Sequence, residues 1–343
     1  MKKYKALQIG NFGGNKEQID GQTIKTNLFF NLVKENYHNT LKIDIYKYSK
    51  IQFLLLFIKL PFFILRSEVI FIGLGKKGMK TLAPWCIFLS RVLNKEINYY
   101  VIGGWIYTLL RENEWLLKHF KYFNKILVEL PSMITNGNNI GLYNIEYFPN
   151  FRQTKNITIT KKTRENCLNL VFFSRVIKEK GILILLNAMD KVNSENLNIN
   201  LTIFGPIYDE SIKYEIEKRE NVVYSGVLNP FSNSLYDILN QYDLMIFPTF
   251  YNGEGFPGAI VDAFISAIPV IASNWKYNAE IITDGYNGRI IDNNSDTLYK
   301  ILKHYYLNIN ELDSMKINAK ISSNDYSYDK ASELFKNLFL HNY

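Results

Sequence analysis

Residues 244–264 read Leu244-Met245-Ile246-Phe247-Pro248-Thr249-Phe250-Tyr251-Asn252-Gly253-Glu254-Gly255-Phe256-Pro257-Gly258-Ala259-Ile260-Val261-Asp262-Ala263-Phe264. The order is apolar strand, glycine-rich loop, apolar helix, the repeating unit of a parallel sheet covered by helices. Pro257 suits the first helical turn, where a missing N–H costs nothing, so Glu254 falls in the loop just before the helix and Asp262 well inside it. Gly253, Gly255 and Gly258 let a ligand come close to the backbone, and the open N–H groups of a helix start favour a phosphate. Two carboxylates at this separation can accept hydrogen bonds from two different hydroxyl-bearing groups, at about 1.5–3 kcal/mol each. Taken singly, each has a plainer reading, a glutamate in an N-terminal turn and an exposed helical aspartate.

The same grammar runs outward along the whole chain. In the first half it predicts strands at Tyr4–Ile9, Lys42–Tyr46, Val69–Ile72, Ile97–Ile102 and Ile126–Val128. In the second it predicts Leu168–Phe173, Asn200–Phe204, Val222–Tyr224, Leu244–Phe247, Val270–Ala272 and Arg289–Ile291. The first series ends near Tyr147-Phe148-Pro149-Asn150, and a polar Thr/Lys-rich stretch precedes the second. This predicts a domain over 1–152, a linker over 153–166, a second domain over 167–325 and a C-terminal helix over 326–343, whose packing partner the sequence leaves open. With 343 residues, 47% hydrophobic and 21% charged, each half can bury its own core. Cys86 and Cys167 are too few and too isolated for a disulfide framework or a structural zinc site, which fits a reducing cytoplasm. The basic start, Met1-Lys2-Lys3-Tyr4-Lys5, leads into a short strand without the apolar core of a signal peptide, so no export is expected.

The segment around Glu254 resembles the donor-binding signature of glycosyltransferase family 4, a Glu-x7-Glu pattern on the GT-B fold. That resemblance implies two Rossmann-like α/β domains whose parallel sheets face a central cleft. A sugar nucleotide carries two hydroxyl-bearing groups, the sugar and the ribose; the resemblance puts Glu254 on the first and Asp262 on the second. Asp262 is one methylene shorter than the pattern supplies. A second match, Phe173-Ser174-Arg175-Val176-Ile177-Lys178-Glu179-Lys180-Gly181, follows the first strand of the second half and opens a helix. It resembles the family's Arg and Lys pair that clamps the donor diphosphate, which implies that role for Arg175 and Lys180 and leaves Lys178 to solvent. The physical need is a leaving group whose negative charge grows as the glycosidic bond breaks.

Weaker matches complete the resemblance. Phe204-Gly205-Pro206 and Tyr224-Ser225-Gly226 end strands where the family builds its base-binding wall, or are plain turns. Gly255, Phe256, Pro257 and Gly258 would line the donor site. Ala279-Glu280-Ile281-Ile282 before Asp284-Gly285-Tyr286-Asn287-Gly288 and the Pro149-Asn150 junction match for reasons of fold. Gly10-Asn11-Phe12-Gly13-Gly14 resembles the loop that approaches the donor phosphates, which would place Gly13 and Gly14 there, or is an ordinary turn. The histidine that many relatives carry on the first domain is replaced here by Tyr100-Val101-Ile102-Gly103-Gly104-Trp105. His38, His119, His304 and His341 lie outside recognisable motifs and read as structural or surface residues.

Gly73-Leu74-Gly75-Lys76-Lys77-Gly78 fits a dinucleotide fingerprint, with Glu96 following, but it comes after the third strand rather than the strand that opens its unit. It is read as a loop on the acceptor side, with an NAD-dependent oxidoreductase as the lesser alternative. Residues 1–150 hold 20 Lys+Arg against 10 Asp+Glu. Such a half faces a lipid surface, a phosphorylated acceptor or nucleic acid, or is simply a solvated lysine-rich face. The apolar run Ile51–Leu65, broken by Lys59 and Pro61, is short of the ~20 residues that span a bilayer. It reads first as a helix packed on the first sheet, and second as a peripheral contact with an anionic membrane.

Together these readings predict a retaining hexosyltransferase. It would use a nucleotide-diphosphate sugar as substrate, without metal or other cofactor, since no Asp-x-Asp pair occurs. The acceptor is expected to be a glycan or lipid-diphosphate-linked glycan of bacterial cell-surface polysaccharide assembly, with no nucleic-acid partner. The expected place is the cytoplasm, or peripherally the inner face of the cell membrane. The alternative from another class is a non-catalytic sugar-nucleotide-binding scaffold.

Overall fold

Leu244, Met245, Ile246 and Phe247 are all buried, as a strand with helices on both faces requires. Such apolar runs alternate with helices throughout the computed structural model, which describes residues 4–14, 20–159, 167–232 and 234–340. The chain divides into two compact units, Met1–Phe151 with Asp329–Tyr343, and Arg152–Tyr328.

Unit 1 runs β1 (Tyr4–Gly10), α1 (Gly21–Asn36), β2 (Thr40–Asp44), α2 (Lys50–Leu65), β3 (Ser67–Gly73) and α3 (Lys76–Val92). It continues with β4 (Glu96–Tyr100), α4 (Ile106–Arg111), α5 (Glu114–Phe120), β5 (Lys125–Val128), α6 (Pro131–Asn138) and β6 (Ile145–Tyr147). Its sheet is parallel in the order β2-β1-β3-β4-β5-β6. The edge strand β6, Ile145-Glu146-Tyr147, is short and interrupted by a glutamate, and the sequence reading missed it.

Unit 2 runs β7 (Leu168–Phe173), α7 (Ile182–Ser194), β8 (Ile199–Phe204), α8 (Glu210–Glu217), β9 (Val222–Tyr224), α9 (Leu235–Leu239) and β10 (Leu244–Phe247). Then come α10 (Gly258–Ile265), β11 (Val270–Ser273), α11 (Asn278–Ile281), β12 (Gly288–Ile291), α12 (Ser295–Leu307) and α13 (Glu311–Ser322). Its sheet is also parallel, in the order β12-β11-β10-β7-β8-β9. Counted from β7, this is the 3-2-1-4-5-6 order of a dinucleotide-type fold, and strand order reverses between β7 and β10. Both units are therefore Rossmann-like α/β domains.

The last helix, α14 (Tyr328–Phe339), carries Phe335 and Phe339 into the core of unit 1. Phe335 meets Phe29 and Phe71 at ring distances of 5.9 and 5.8 Å, and Phe339 meets Phe71 at 5.1 Å. Of the expected linker, residues 160–166 lie outside the described residues, as do Met1–Lys3 and His341.

Packing accounts for the glycine run after β3. A Cβ on Gly73 would overlap the ring of Tyr100, which is buried against Phe29 at 4.4 Å and receives a hydrogen bond from Gln8 Nε2 at 3.0 Å. Gly75 is the N-cap of α3, and Gly78 lies against Leu74. The first glycine of the apparent fingerprint thus makes room for a tyrosine.

Helix α2 packs on unit 1 through Leu56, Leu60 and Ile64, while Ile51, Leu54, Leu55, Ile58, Phe62 and Leu65 stay exposed. Both faces are apolar, but only one is covered. Ser49 and Gln52 close its start in a capping box, and Trp85 Nε1 of α3 donates to the Phe57 carbonyl at 3.3 Å. Among the described residues no helix is long and apolar enough to cross a membrane.

Candidate active site

The candidate site lies at the carboxyl ends of β7 and β10, where unit 2 reverses its strand order; ligands in open α/β sheets bind at such points. Beyond β7 the backbone first pairs with the exit of β8: Ser174 N–H donates to Phe204 O at 3.1 Å and Val176 N–H to Pro206 O at 3.0 Å. A short 3-10 turn, Lys178–Lys180, follows and ends on Gly181 at φ +78°, where α7 begins. A Cβ on Gly181 would overlap the Pro248 carbonyl at the end of β10, so glycine is needed both for the left-handed backbone and for the close approach. This contact brings the two loops together.

The β10 loop is fastened on both sides. Phe250 N–H donates to Glu179 O at 2.8 Å, Ser273 Oγ to Thr249 O at 2.5 Å, and Trp275 Nε1 to Tyr251 O at 3.0 Å. Glu254 follows in the loop and is buried. Its Oε2 lies 2.5 Å from Lys180 Nζ and accepts from Thr249 Oγ1 at 2.9 Å. The Tyr251 ring takes Arg175 on its face at 4.9 Å and Lys180 at 5.4 Å. Two cations and one carboxylate thus converge around one aromatic ring.

Burial lowers the pKa of Lys180 from the ordinary lysine value; Glu254 opposes that shift, and the nearby Arg175 adds to it. An anion entering beside both cations would relieve their repulsion and favour the charged ammonium. Lys178, by contrast, is exposed.

Helix α10 begins at Gly258, with Pro257 as its extended N-cap rather than inside its first turn. A Cβ on Gly258 would overlap the Arg152 guanidinium, so this glycine makes room for an arginine. Arg152 Nε in turn meets Asp262 Oδ1 at 3.0 Å, both side chains being buried, with the Tyr236 hydroxyl 3.5 Å from the same oxygen. Burial raises the pKa of Asp262, and Arg152 opposes that shift. Asp262 is therefore engaged within the protein, about one helical turn beyond the helix start. Gly255, Phe256 and Pro257 are buried between Glu254 and α10, Phe256 lying edge-on to Tyr326 at 5.1 Å.

The remaining expected residues fall elsewhere. Gly205, at φ +145°, has no room for a Cβ beside the Ser174 carbonyl; its N–H donates to Gly226 O, and its carbonyl accepts from Tyr224 OH at 3.0 Å. The Pro206 carbonyl is taken by Val176, so these turns spend their backbone groups on joining the β7, β8 and β9 exits. Gly13 and Gly14 belong to unit 1, where Asp44 accepts from the N–H groups of Phe12 at 3.0 Å and Gly14 at 2.8 Å, and Asn11 accepts from Gly13 at 3.3 Å. His119, half-buried, bonds the Trp115 carbonyl, and His304, exposed, pairs with Glu311.

Sequence reasoning missed Thr249, Tyr251 and Arg152. The first two lie inside the quoted loop, where a hydroxyl and a ring so close to Glu254 could have been singled out. Arg152 stands 110 residues from Asp262 and carries no local signal.

Residues 168–307 match the family model of Glycosyl transferases group 1. The matched segment runs from the start of β7 to the end of α12 and contains Arg175, Lys180, Glu254 and Asp262. The match lies wholly within unit 2. An uncharacterised 41.2 kDa protein in the cps region of Klebsiella pneumoniae is 26% identical over 255 residues, which cover 72% of this chain and 66% of that protein. The capsular polysaccharide biosynthesis glycosyltransferase CapH of Staphylococcus aureus is 30% identical over 162 residues, 43% of each chain. The chain covers less than two thirds of the length of either relative. Among solved structures, Anabaena HepE in complex with UDP superposes with a TM-score of 0.77 at 14% identity, over 97% of this chain and 99% of that one. That likeness extends to both units and is one of fold.

Proposed function

We propose that this chain is a retaining, family 4 type glycosyltransferase that moves a sugar from a nucleotide-diphosphate sugar to a glycan or lipid-diphosphate-linked glycan. The setting would be assembly of a bacterial cell-surface polysaccharide such as capsule or O-antigen, at the cytoplasmic side where the donor is available. The observation that carries this reading is the meeting of Arg175, Lys180 and Glu254 around Tyr251 at the strand-order reversal of unit 2. The family match over that segment, the name of CapH and the UDP complex of HepE support it.

In this reading the donor diphosphate binds beside Arg175 and Lys180. As the glycosidic bond lengthens, negative charge builds on the departing phosphate, and two cations already held in place stabilise it without having to reorganise. They supply the compensation that a metal ion gives in other transferases, so activity should survive chelation. Glu254 accepts hydrogen bonds from sugar hydroxyls and fixes the sugar so that the acceptor hydroxyl attacks on the face the diphosphate leaves. Its existing bond to Lys180 couples sugar position to the leaving-group cation. Asp262 is assigned to the ribose by resemblance, and its side chain is paired with Arg152.

The test is a panel of nucleotide sugars scored for transfer or slow donor hydrolysis, with and without EDTA. Glu254→Gln and Arg175→Ala should each lower turnover by ~10²-fold or more while the fold survives. Near-normal turnover in both would sink the assignments. Binding of a sugar nucleotide with no turnover for any acceptor would favour a scaffold.

A further inference from the structure

Six large apolar side chains of α2, Ile51, Leu54, Leu55, Ile58, Phe62 and Leu65, are between 46% and 71% exposed. At 3.6 residues per turn they fall within an arc of about 100° along one side of the helix. Leu56, Leu60 and Ile64 hold the opposite side against unit 1. On α3 the patch continues through Phe88 and Val92, both more than half exposed; the Phe88 ring stacks on Trp85 at 5.5 Å, and Trp85 on Phe57 of α2 at 6.3 Å. Isolated exposed apolar residues need no explanation, but a continuous stripe on two neighbouring helices marks a docking surface.

Charge identifies what docks. Between residues 45 and 95 the sequence holds nine lysines and arginines against a single acid, Glu68, a net of +8 that equals the net charge of the whole chain. Lys50 and Lys59 are exposed at the borders of the stripe, and Arg66 lies over the Phe62 ring at 4.8 Å. A symmetric contact between two copies would set this basic face against itself. An anionic lipid surface neutralises it, and α2, too short to span a bilayer, has the build of a helix lying in the headgroup plane.

We propose that the α2–α3 face of unit 1 docks on an anionic lipid bilayer. The exposed stripe of α2 enters the outer edge of the acyl region, and Lys50 and Lys59 meet the headgroup phosphates. This surface belongs to unit 1, whereas Arg175, Lys180 and Glu254 belong to unit 2, and its docking holds whichever sugar is transferred.

The test is flotation of the full chain with vesicles of phosphatidylcholine alone, or containing roughly 30% phosphatidylglycerol, at low and high salt. The wild-type protein should float with the anionic vesicles at low salt, lose binding as salt is added, and ignore the neutral ones. Leu54→Glu/Ile58→Glu and Lys50→Glu/Lys59→Glu change only exposed side chains, so they should fold normally. Each should reduce binding by about tenfold or more. Calorimetric binding of UDP to both variants should match the wild type, which separates failure of docking from failure of the transferase reading. No flotation at low salt, or equal flotation of the variants, overturns the proposal. So does a lipid-free dimer in sedimentation analysis that Leu54→Glu/Ile58→Glu converts to monomer, because the face then belongs to a second copy.

Discussion

Replacing Arg152 by methionine removes the cation from a pair in which both side chains are almost fully covered and Nε lies 3.0 Å from Asp262 Oδ1. At that distance, with an effective dielectric constant of ~20, the attraction is roughly 5 kcal/mol, and much of it offsets the cost of burying both charges. Removing one partner leaves that cost on the other, so Arg152→Met should lose about 3–5 kcal/mol at pH 8. The Tyr236 hydroxyl, 3.5 Å away, is too distant to replace the guanidinium. Burial already raises the folded-state pKa of Asp262 and Arg152 counters it, so the variant's pKa rises further. A carboxyl raised on folding costs nothing below its unfolded value of about 3.9 and its full amount above its folded value. The deficit should therefore shrink as the pH falls from 8 to 5, by about 1.4 kcal/mol for each unit of that interval lying below the folded pKa. Urea unfolding at both pH values checks this, and Arg152→Met/Asp262→Asn should regain about 2 kcal/mol or more over Arg152→Met by removing the stranded charge. A loss below ~1 kcal/mol at pH 8, or one that grows toward pH 5, would refute the reasoning. Calorimetry with UDP on Asp262→Asn adds the functional half: intact stability with more than tenfold weaker binding would give the carboxylate to the ribose instead.

Gly181→Ala combines a left-handed backbone with overlap on the Pro248 carbonyl, so it should cost roughly 2–4 kcal/mol in urea unfolding and weaken donor binding by displacing Lys180. On α2, Leu56→Ala should cost about 2–5 kcal/mol and Leu54→Ala stay within about 0.5 kcal/mol, because one side chain is buried and the other open; equal losses in thermal unfolding would contradict the assigned faces. Burial pushes the Cys86 thiol up to about 12, whereas Cys167 is half-buried. An aromatic disulfide reagent should therefore titrate Cys167 in the native protein and Cys86 only after denaturant is added.

The fold was legible because the central parallel strands are short apolar runs buried on both faces, as in β3, β7, β10 and β11, and the β-rich runs bounded by turns or helices predicted eleven of the twelve strands among the described residues. Strand β6, Ile145-Glu146-Tyr147, has a glutamate at its centre and does not stand out, whereas the equally short β9 is Val222-Val223-Tyr224. The loops carrying Arg175, Lys180 and Glu254 were legible because each follows a strand, contains glycine and opens a helix. What escaped were relations between distant positions. Arg152 and Asp262 are joined across 110 residues, and Asp44, 30 residues further along, takes the Gly14 amide of the loop expected to approach the donor phosphates. The periodicity of α14 shows an apolar face without saying which core receives it. In α2 nearly every residue is apolar, so composition could not separate the covered face from the open one. The packed-helix reading of that segment describes its covered side, and the open side carries the docking proposal.

The distance between Lys180 and Glu254 illustrates how a parallel sheet builds chemistry that no local stretch contains. These residues are 74 apart, and they meet because β7 and β10 are hydrogen-bonded neighbours whose chain paths then depart in opposite directions across the sheet. Both loops leave the carboxyl ends of neighbouring parallel strands, and α7 and α10 follow on the two diverging halves. The gap is filled by contacts that fix the loops rather than cover them: Gly181 against Pro248, Phe250 on Glu179, and Trp275 and Ser273 holding the far side. A buried lysine–glutamate pair in such a place is a poor device for stability, since apolar residues of the same size would do as well or better. Under the proposed function its value lies in being held by a fixed frame while each partner can exchange the other for a donor phosphate or a sugar hydroxyl. An apolar replacement such as Lys180→Met/Glu254→Leu should therefore unfold no more easily than the wild type and still bind no donor, an outcome that a purely structural pair could not produce.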